Sequence, residues 1–150
     1  MKILFATDHA GFKLKESLVS FVQDLGFEVE DLGAHQYNKE DDYPDFVSLV
    51  ARQVSENPDK IKGIILGGSG QGEAMVANRF SNVRAAVYYG MRENVIMLSR
   101  EHNDANILSL GARFLGVEEA KDAVKIWLKT SFSGDERHTR RISKLEHFSK

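Results

Sequence analysis

The 150-residue sequence predicts a three-layer α/β/α sandwich around a five-stranded parallel sheet, Rossmann-like in build, with a further helix at the C-terminal end. Two observations carry this. Short apolar runs that read as strands buried on both faces alternate along the chain with longer segments whose apolar residues recur at helical spacing. One of those runs, Ile64-Ile65-Leu66, stops at Gly67-Gly68-Ser69-Gly70-Gln71-Gly72 and resumes as a helical pattern from Glu73 to Asn78. That is how a parallel strand, an anion-cradling loop and a helix N-terminus follow one another.

In chain order, Ile3 to Ala6 reads as the first strand, and Thr7-Asp8-His9-Ala10-Gly11 turns into a helix whose apolar face is Leu14, Leu18, Val19, Phe21, Val22 and Leu25. Gly26 closes that helix. Phe27 to Leu32, more polar, is a strand nearer an edge. After a polar loop through Tyr43-Pro44, Asp45 is the expected N-cap of a second helix carrying Phe46, Leu49, Val50 and Val54, which Asn57-Pro58 ends. Beyond the central strand and helix, Arg84 to Tyr88 is a strand, Glu93 to Arg100 a short helix and Asn106 to Leu110 a strand ended by Gly111. Val117 to Leu128 is a helix with Ala120, Val124, Trp127 and Leu128 on its apolar face. The stretch Ser131-Phe132-Ser133-Gly134-Asp135 breaks the pattern, and a last helix, about 136–148, offers only Ile142, Leu145 and Phe148. It reads as an appendage to one domain, 1–150, the length of a single hydrophobic core.

Composition narrows the function. A formal net charge of -2 with both signs interspersed presents no nucleic-acid or membrane surface. The absence of cysteine excludes disulfides, thiolate nucleophiles and zinc–thiolate sites. No apolar run approaches a signal-peptide core or the ~20 residues of a membrane span, so a cytoplasmic protein is the default expectation.

The glycine stretch has the spacing of a phosphate-binding P-loop, but Glu73 and Ala74 stand where Lys and Ser/Thr are required, which argues against a nucleoside triphosphate. Counted from Gly68, the third glycine of a dinucleotide fingerprint falls on Glu73. What remains is a cradle of backbone N–H groups beside a carboxylate, suited to removing a proton alpha to a carbonyl and stabilising the resulting enediolate; the alternative is a tight turn that merely needs glycine. Asp8 and His9 end a buried strand and meet this loop if the first and third strands are neighbours; they read as functional residues, the alternative being a helix cap, which needs only one of them. Other residues read two ways. His102 is an acid/base or a helix C-terminal cation, and reaches the crevice only if the helix before it is short. Arg113 is an anion ligand or a surface arginine. Arg137 and Arg141, one turn apart with His138 adjacent, form a phosphate clamp or a solvated basic face. Tyr43 is a turn residue or a pocket wall. His35 and His147 are assigned no role.

Taken together, Thr7 to Gly11, Asp42-Tyr43-Pro44, Gly67 to Glu73, Ala77-Asn78, Ser99 to Asp104 and Arg137 to Arg141 resemble, in order and over nearly the whole chain, the ribose-5-phosphate isomerase type B family, which includes galactose-6-phosphate isomerase subunits. The resemblance implies an aldose–ketose isomerase that uses no metal or other cofactor and works on a sugar phosphate as a homodimer or homotetramer. It implies Glu73 as base, in place of a cysteine that would align with Gly67, and Ser69 as a hydroxyl passing protons between substrate oxygens. The amides of Gly68, Gly70, Gln71 and Gly72 would hold the enediolate, and His102, with Asp8 nearby, would open the sugar ring. Tyr43 and Asn103 match sugar contacts; His9, Arg113, Arg137, His138 and Arg141 match the phosphate end, the arginine tail serving a neighbouring subunit. Ribose 5-phosphate is the expected substrate, with galactose 6-phosphate or allose 6-phosphate as alternatives. A non-catalytic nucleotide-binding or signalling module of the same shape is the competing class. A phospho-receiver would need an aspartate at Gly67 and an acidic pair where Asp8 stands alone.

Overall fold

The computed structural model describes residues 1–148. Among these, five strands form one parallel sheet: β1 (Lys2–Thr7), β2 (Glu28–Asp31), β3 (Ile61–Gly67), β4 (Ala85–Tyr88) and β5 (Ile107–Gly111), in the order β2-β1-β3-β5-β4. Between and after them run α1 (Phe12–Asp24), α2 (Tyr43–Glu56), α3 (Gln71–Ala77), α4 (Asn94–Glu101), α5 (Val117–Lys129) and α6 (Glu136–Leu145). Because side chains alternate across a strand, each central strand feeds two cores. Ile3, Phe5, Ile64, Leu66, Leu108 and Leu110 pack against α1, α4 and α5 on one face, where Trp127 is fully buried. Leu4, Ala6, Ile65 and Ile107 pack on the other face against α2 and α3. The three-layer expectation holds, and no helix among the described residues is long and apolar enough to cross a membrane.

Local departures are small. Helix α2 starts two residues before its expected cap, with Asp42 at the N-cap position and Asp45 inside the first turn. Pro44 accounts for this, since its fixed φ suits the first helical turn. Gly26 closes α1 in a left-handed conformation (φ 90°), a role its missing Cβ permits. The last helix is shorter than expected and passes into a 3-10 turn, Glu146–Phe148, with Phe148 84% exposed.

For the site, the decisive feature is the crevice between β1 and β3. These neighbours pair from Lys2↔Ile61 to Thr7↔Leu66, so they end together. The chain leaves β1 into α1 on one face and leaves β3 into α3 on the other, which opens a cleft at their carboxyl ends. The Thr7 hydroxyl donates to the Leu66 carbonyl (3.0 Å) and ties the two ends.

Candidate active site

The turn after β3 is shaped by close approach. Gly70 adopts φ 77° and its carbonyl accepts from the Ser109 hydroxyl (2.6 Å), while a Cβ on it would press on the backbone of Leu110 and Gly111. The loop is also held to the end of β5, where the N–H groups of Ala112 and Arg113 donate to the carbonyls of Gly67 and Gly68 (2.8 and 3.1 Å). Two side chains lie over the glycines: Arg113 beside Gly68, and Tyr43 so near Gly72 that a Cβ there would meet its hydroxyl. Glycine here is a requirement of packing as much as of dihedral angle.

Gly67 shows this most sharply. A Cβ built on it would overlap the carboxylate of Glu73, so that carboxylate fills the space a side chain at position 67 would take. Glu73, in the first turn of α3, is only 4% exposed. Burial raises its carboxyl above the ordinary carboxylate range; a hydrogen bond from its own backbone opposes this, and the charge of Asp8 adds to it. A buried carboxyl so raised, in a cleft, is suited to accept a proton.

Asp8, His9, Ala10, Tyr43, Gly68, Ser69, Gly72, Glu73, Arg113 and Phe114 line one cavity of about 530 Å³. Asp8 caps the 3-10 turn after β1, accepting from the N–H of Ala10 (2.9 Å), and the Ser69 hydroxyl accepts from that of Gln71 (3.3 Å). Neither Gly70, which is buried, nor Gln71, which is exposed, lines this cavity. Ligand atoms of Asp8, His9 and Asp41 lie within 4.8 Å of one another, near enough for an ion. Of these, His9 and Asp41 are hydrogen-bonded, with Nδ1 at 2.7 Å from Oδ1, whereas Asp8 Oδ2 stands 3.9 Å from the same nitrogen.

The remaining expected residues are elsewhere. His102 caps the C-terminal end of α4, and its ring stacks on His138 of α6 at 4.2 Å between centroids. Helix α4 is short, eight residues, yet His102 is not brought to Asp8. A residue just before a parallel strand lies at its amino edge, and β5 runs four steps of about 3.3 Å, about 13 Å, before Gly111 reaches the level of Gly67. The expected proximity of His102 and Asp8 is therefore not met within one chain. Asn103 lines a different cavity of about 600 Å³, with Arg79, Arg84, Leu145, Glu146 and Phe148 among its walls. Arg137 and Arg141 are exposed on α6, and His138 is buried. Burial lowers the His138 imidazole first, and the neighbouring His102, Arg137 and Arg141 act the same way against Asp135. Its Nε2 is buried without a hydrogen-bond partner.

Sequence reasoning missed Ala10, Phe114 and Asp41. Phe114 adjoins Arg113 and could have been suggested by it. Asp41 sits in the acidic run Glu40-Asp41-Asp42, which reads as solvated surface.

Comparison with known proteins agrees with this architecture. Residues 3–145 match the family model described as Ribose/Galactose Isomerase. The chain is 36% identical over 150 residues to ribose-5-phosphate isomerase B of Mycolicibacterium paratuberculosis, covering 100% of this chain and 92% of the relative. It is 40% identical over 148 residues to the probable ribose-5-phosphate isomerase B of Mycoplasma genitalium, covering 99% and 95%. The crystal structure of ribose-5-phosphate isomerase B from Mycoplasma genitalium with bound ribulose-5-phosphate superposes with a TM-score of 0.93 at 39% identity, covering 98% of this chain and 95% of that one. That from Clostridium thermocellum gives 0.91 at 41% identity, covering 98% and 96%. On this evidence the chain belongs to the ribose/galactose isomerase family.

Proposed function

We propose that the chain interconverts ribose 5-phosphate and ribulose 5-phosphate through an enediolate, with Glu73 as the base that moves a proton between the first two carbons. The observation that carries it is the Glu73 carboxylate seated over Gly67, buried at the floor of the β1–β3 crevice. From the open-chain aldose the carboxylate takes the C2 proton, and the electron pair of that bond forms the C1–C2 double bond while negative charge moves to the carbonyl oxygen. The backbone N–H groups of the glycine loop meet that charge, and Ser69 passes the hydroxyl proton from one oxygen to the other. Glu73 then returns its proton to C1, giving the ketose. The names of the relatives support the five-carbon substrate.

A complete site in this reading needs two protomers. The cavity at the carboxyl edge holds Asp8, His9, Tyr43, Ser69, Glu73 and Arg113; the His102, Asn103, Arg137, His138 and Arg141 group lies at the other edge of the same sheet. A two-fold pair in which each protomer lends its tail group to the other's crevice brings ring-opening and phosphate-binding residues to the base.

Incubation with ribose 5-phosphate in heavy water, followed by NMR, tests the reading. Ribulose 5-phosphate carrying deuterium on carbon is expected, and Glu73→Gln should lower turnover by at least about a hundredfold with binding retained. Galactose 6-phosphate and allose 6-phosphate run in the same assay. Absence of ketose and of label with all three sugars would reject an isomerase, and near-normal turnover of Glu73→Gln would move the base elsewhere.

A further inference from the structure

The Asp41–His9 contact has a geometry that fixes a tautomer. One carboxylate oxygen of Asp41, Oδ1, lies 3.0 Å from the backbone nitrogen of His9 and 2.7 Å from its ring Nδ1. The backbone N–H can only donate, so Oδ1 is an acceptor for both. A bare Nδ1 would set its lone pair against the oxygen's; Nδ1 therefore carries a proton. Asp8 does not compete for it, since its Oδ2 is 3.9 Å away and its Oδ1 accepts from Ala10. The Tyr37 ring stands edge-on to the imidazole at 6.3 Å. Among the described residues Nε2 has no protein hydrogen-bond partner, and the ring lines the same cavity as Glu73.

We propose that Asp41 is the positioning residue of His9: it locks the ring with the proton on Nδ1 and presents Nε2, the acceptor nitrogen of the neutral ring, to a hydroxyl of the sugar phosphate. Stability does not account for the carboxylate. The side chain of Asp41 is 8% exposed and its second oxygen is buried with no partner, so desolvating it costs the fold more than a neutral acceptor in the same place would. Asp41 reaches His9 from the connection between β2 and α2, 32 residues away in sequence. That connection is itself pinned, because the ammonium of the buried Lys15 donates to Asp31 (2.6 Å) and to the Ala34 carbonyl (2.7 Å). Asp41 is thus held by the fold and holds His9 in turn.

The inference rests on the isomerase reading for its ligand, but the tautomer can be read without turnover. Ring 15N shifts of His9 should show Nδ1 protonated in the wild-type protein and in Asp41→Asn, whose side-chain oxygen still accepts, and a shift toward the Nε2-protonated form in Asp41→Ala. A wild-type ring protonated on Nε2 with Nδ1 bare would overturn the proposal, whatever the variants do. In kinetics with ribose 5-phosphate, Asp41→Ala should raise KM about tenfold with a smaller change in kcat, and Asp41→Asn should restore most of it at an unchanged or higher melting temperature. Because Asp41 acts through His9, adding Asp41→Ala to His9→Ala should change KM by no more than about twofold. Full additivity would mean that Asp41 acts by another route and would reject the positioning role. If no sugar phosphate turns over, the isomerase reading fails while the ring shifts still decide the dyad.

Discussion

The two edges of the sheet carry two groups of candidate site residues, built in different ways. At the carboxyl edge the residues sit at the ends of core strands: Asp8 follows β1, Glu73 lies in the first turn of the helix after β3, and Arg113 follows β5, with glycine backbone packed between them. At the amino edge the tail group is held by polar contacts. Arg100 pairs with Asp104 (2.7 Å) and donates to the carbonyls of Ala105 and Thr130, Arg84 pairs with Asp104 (3.2 Å) and Glu146 (3.6 Å), and the Ser133 N–H donates to Glu101. The base half is embedded in a close-packed interior, where displacing one atom group disturbs its neighbours. Its counterpart is a set of exposed arginines and a histidine stack on a helix whose buried residue is His138. In the proposed reading, the rigid half does the proton transfer and the outlying half supplies charge to a neighbouring subunit's crevice.

The largest expected effect tests that division directly. Glu73→Ala and the double variant Arg137→Ala, Arg141→Ala should each be nearly inactive. Unfolded and refolded together in equal amounts, about half the dimers are mixed, and in these one site has both defects and the other none, so roughly a quarter of wild-type activity should return. No recovery, in a sample whose mixed dimers are verified by mass spectrometry, would leave each tail serving its own subunit.

How much of this could be read beforehand follows the same division. Strand runs such as Ile64-Ile65-Leu66 and the glycine loop after them are local signals, because burial on both faces and close backbone approach leave a mark on consecutive residues. The crevice was therefore legible, and with it Asp8, His9 and Glu73. Placement of His102 was not, since it depends on which end of β5 the preceding helix delivers the chain to, and local periodicity says nothing of that. Asp41 was hidden for a related reason: its partner lies 32 residues back, and an acid in an acidic loop has no pattern that distinguishes a buried carboxylate from a solvated one. The tail's arginine spacing was visible, but one chain's sequence carries no pattern that says which crevice an exposed basic helix faces.

A smaller effect sharpens the account of the embedded half. Gly67 does not need a positive φ, so Gly67→Ala introduces no dihedral strain, only a methyl group where the Glu73 carboxylate sits. The carboxylate must move, and a displacement of this order at a reacting group costs up to about a hundredfold in rate. Turnover should fall by about ten- to a hundredfold with KM little changed, and the overpacked floor should lower stability by about 1–3 kcal/mol in a denaturant titration. Unaltered turnover would show that the carboxylate does not need this seat.

The smallest effect concerns what the buried Glu73 carboxyl costs the fold. With its pKa raised by burial, Glu73 binds a proton more tightly in the native state than in the unfolded chain. The stability this contributes is fully present below the unfolded carboxyl's pKa and is lost as pH rises through the higher native value. Above that native value the wild-type protein carries a desolvated carboxylate, whereas Glu73→Gln carries a neutral amide of the same size at every pH. The variant should melt a few degrees higher at neutral pH, and the gap should close as the solution is acidified and the wild-type carboxyl takes up its proton. No comparable gap is expected for Arg137→Ala, because that side chain is exposed on α6 and folding does not bury it. Thermal melts of the three proteins from neutral to acidic pH measure this. A Glu73→Gln that is less stable than wild type at neutral pH would mean that the carboxylate is repaid by a partner within the folded protein, and the picture of a base held at the expense of stability would be wrong.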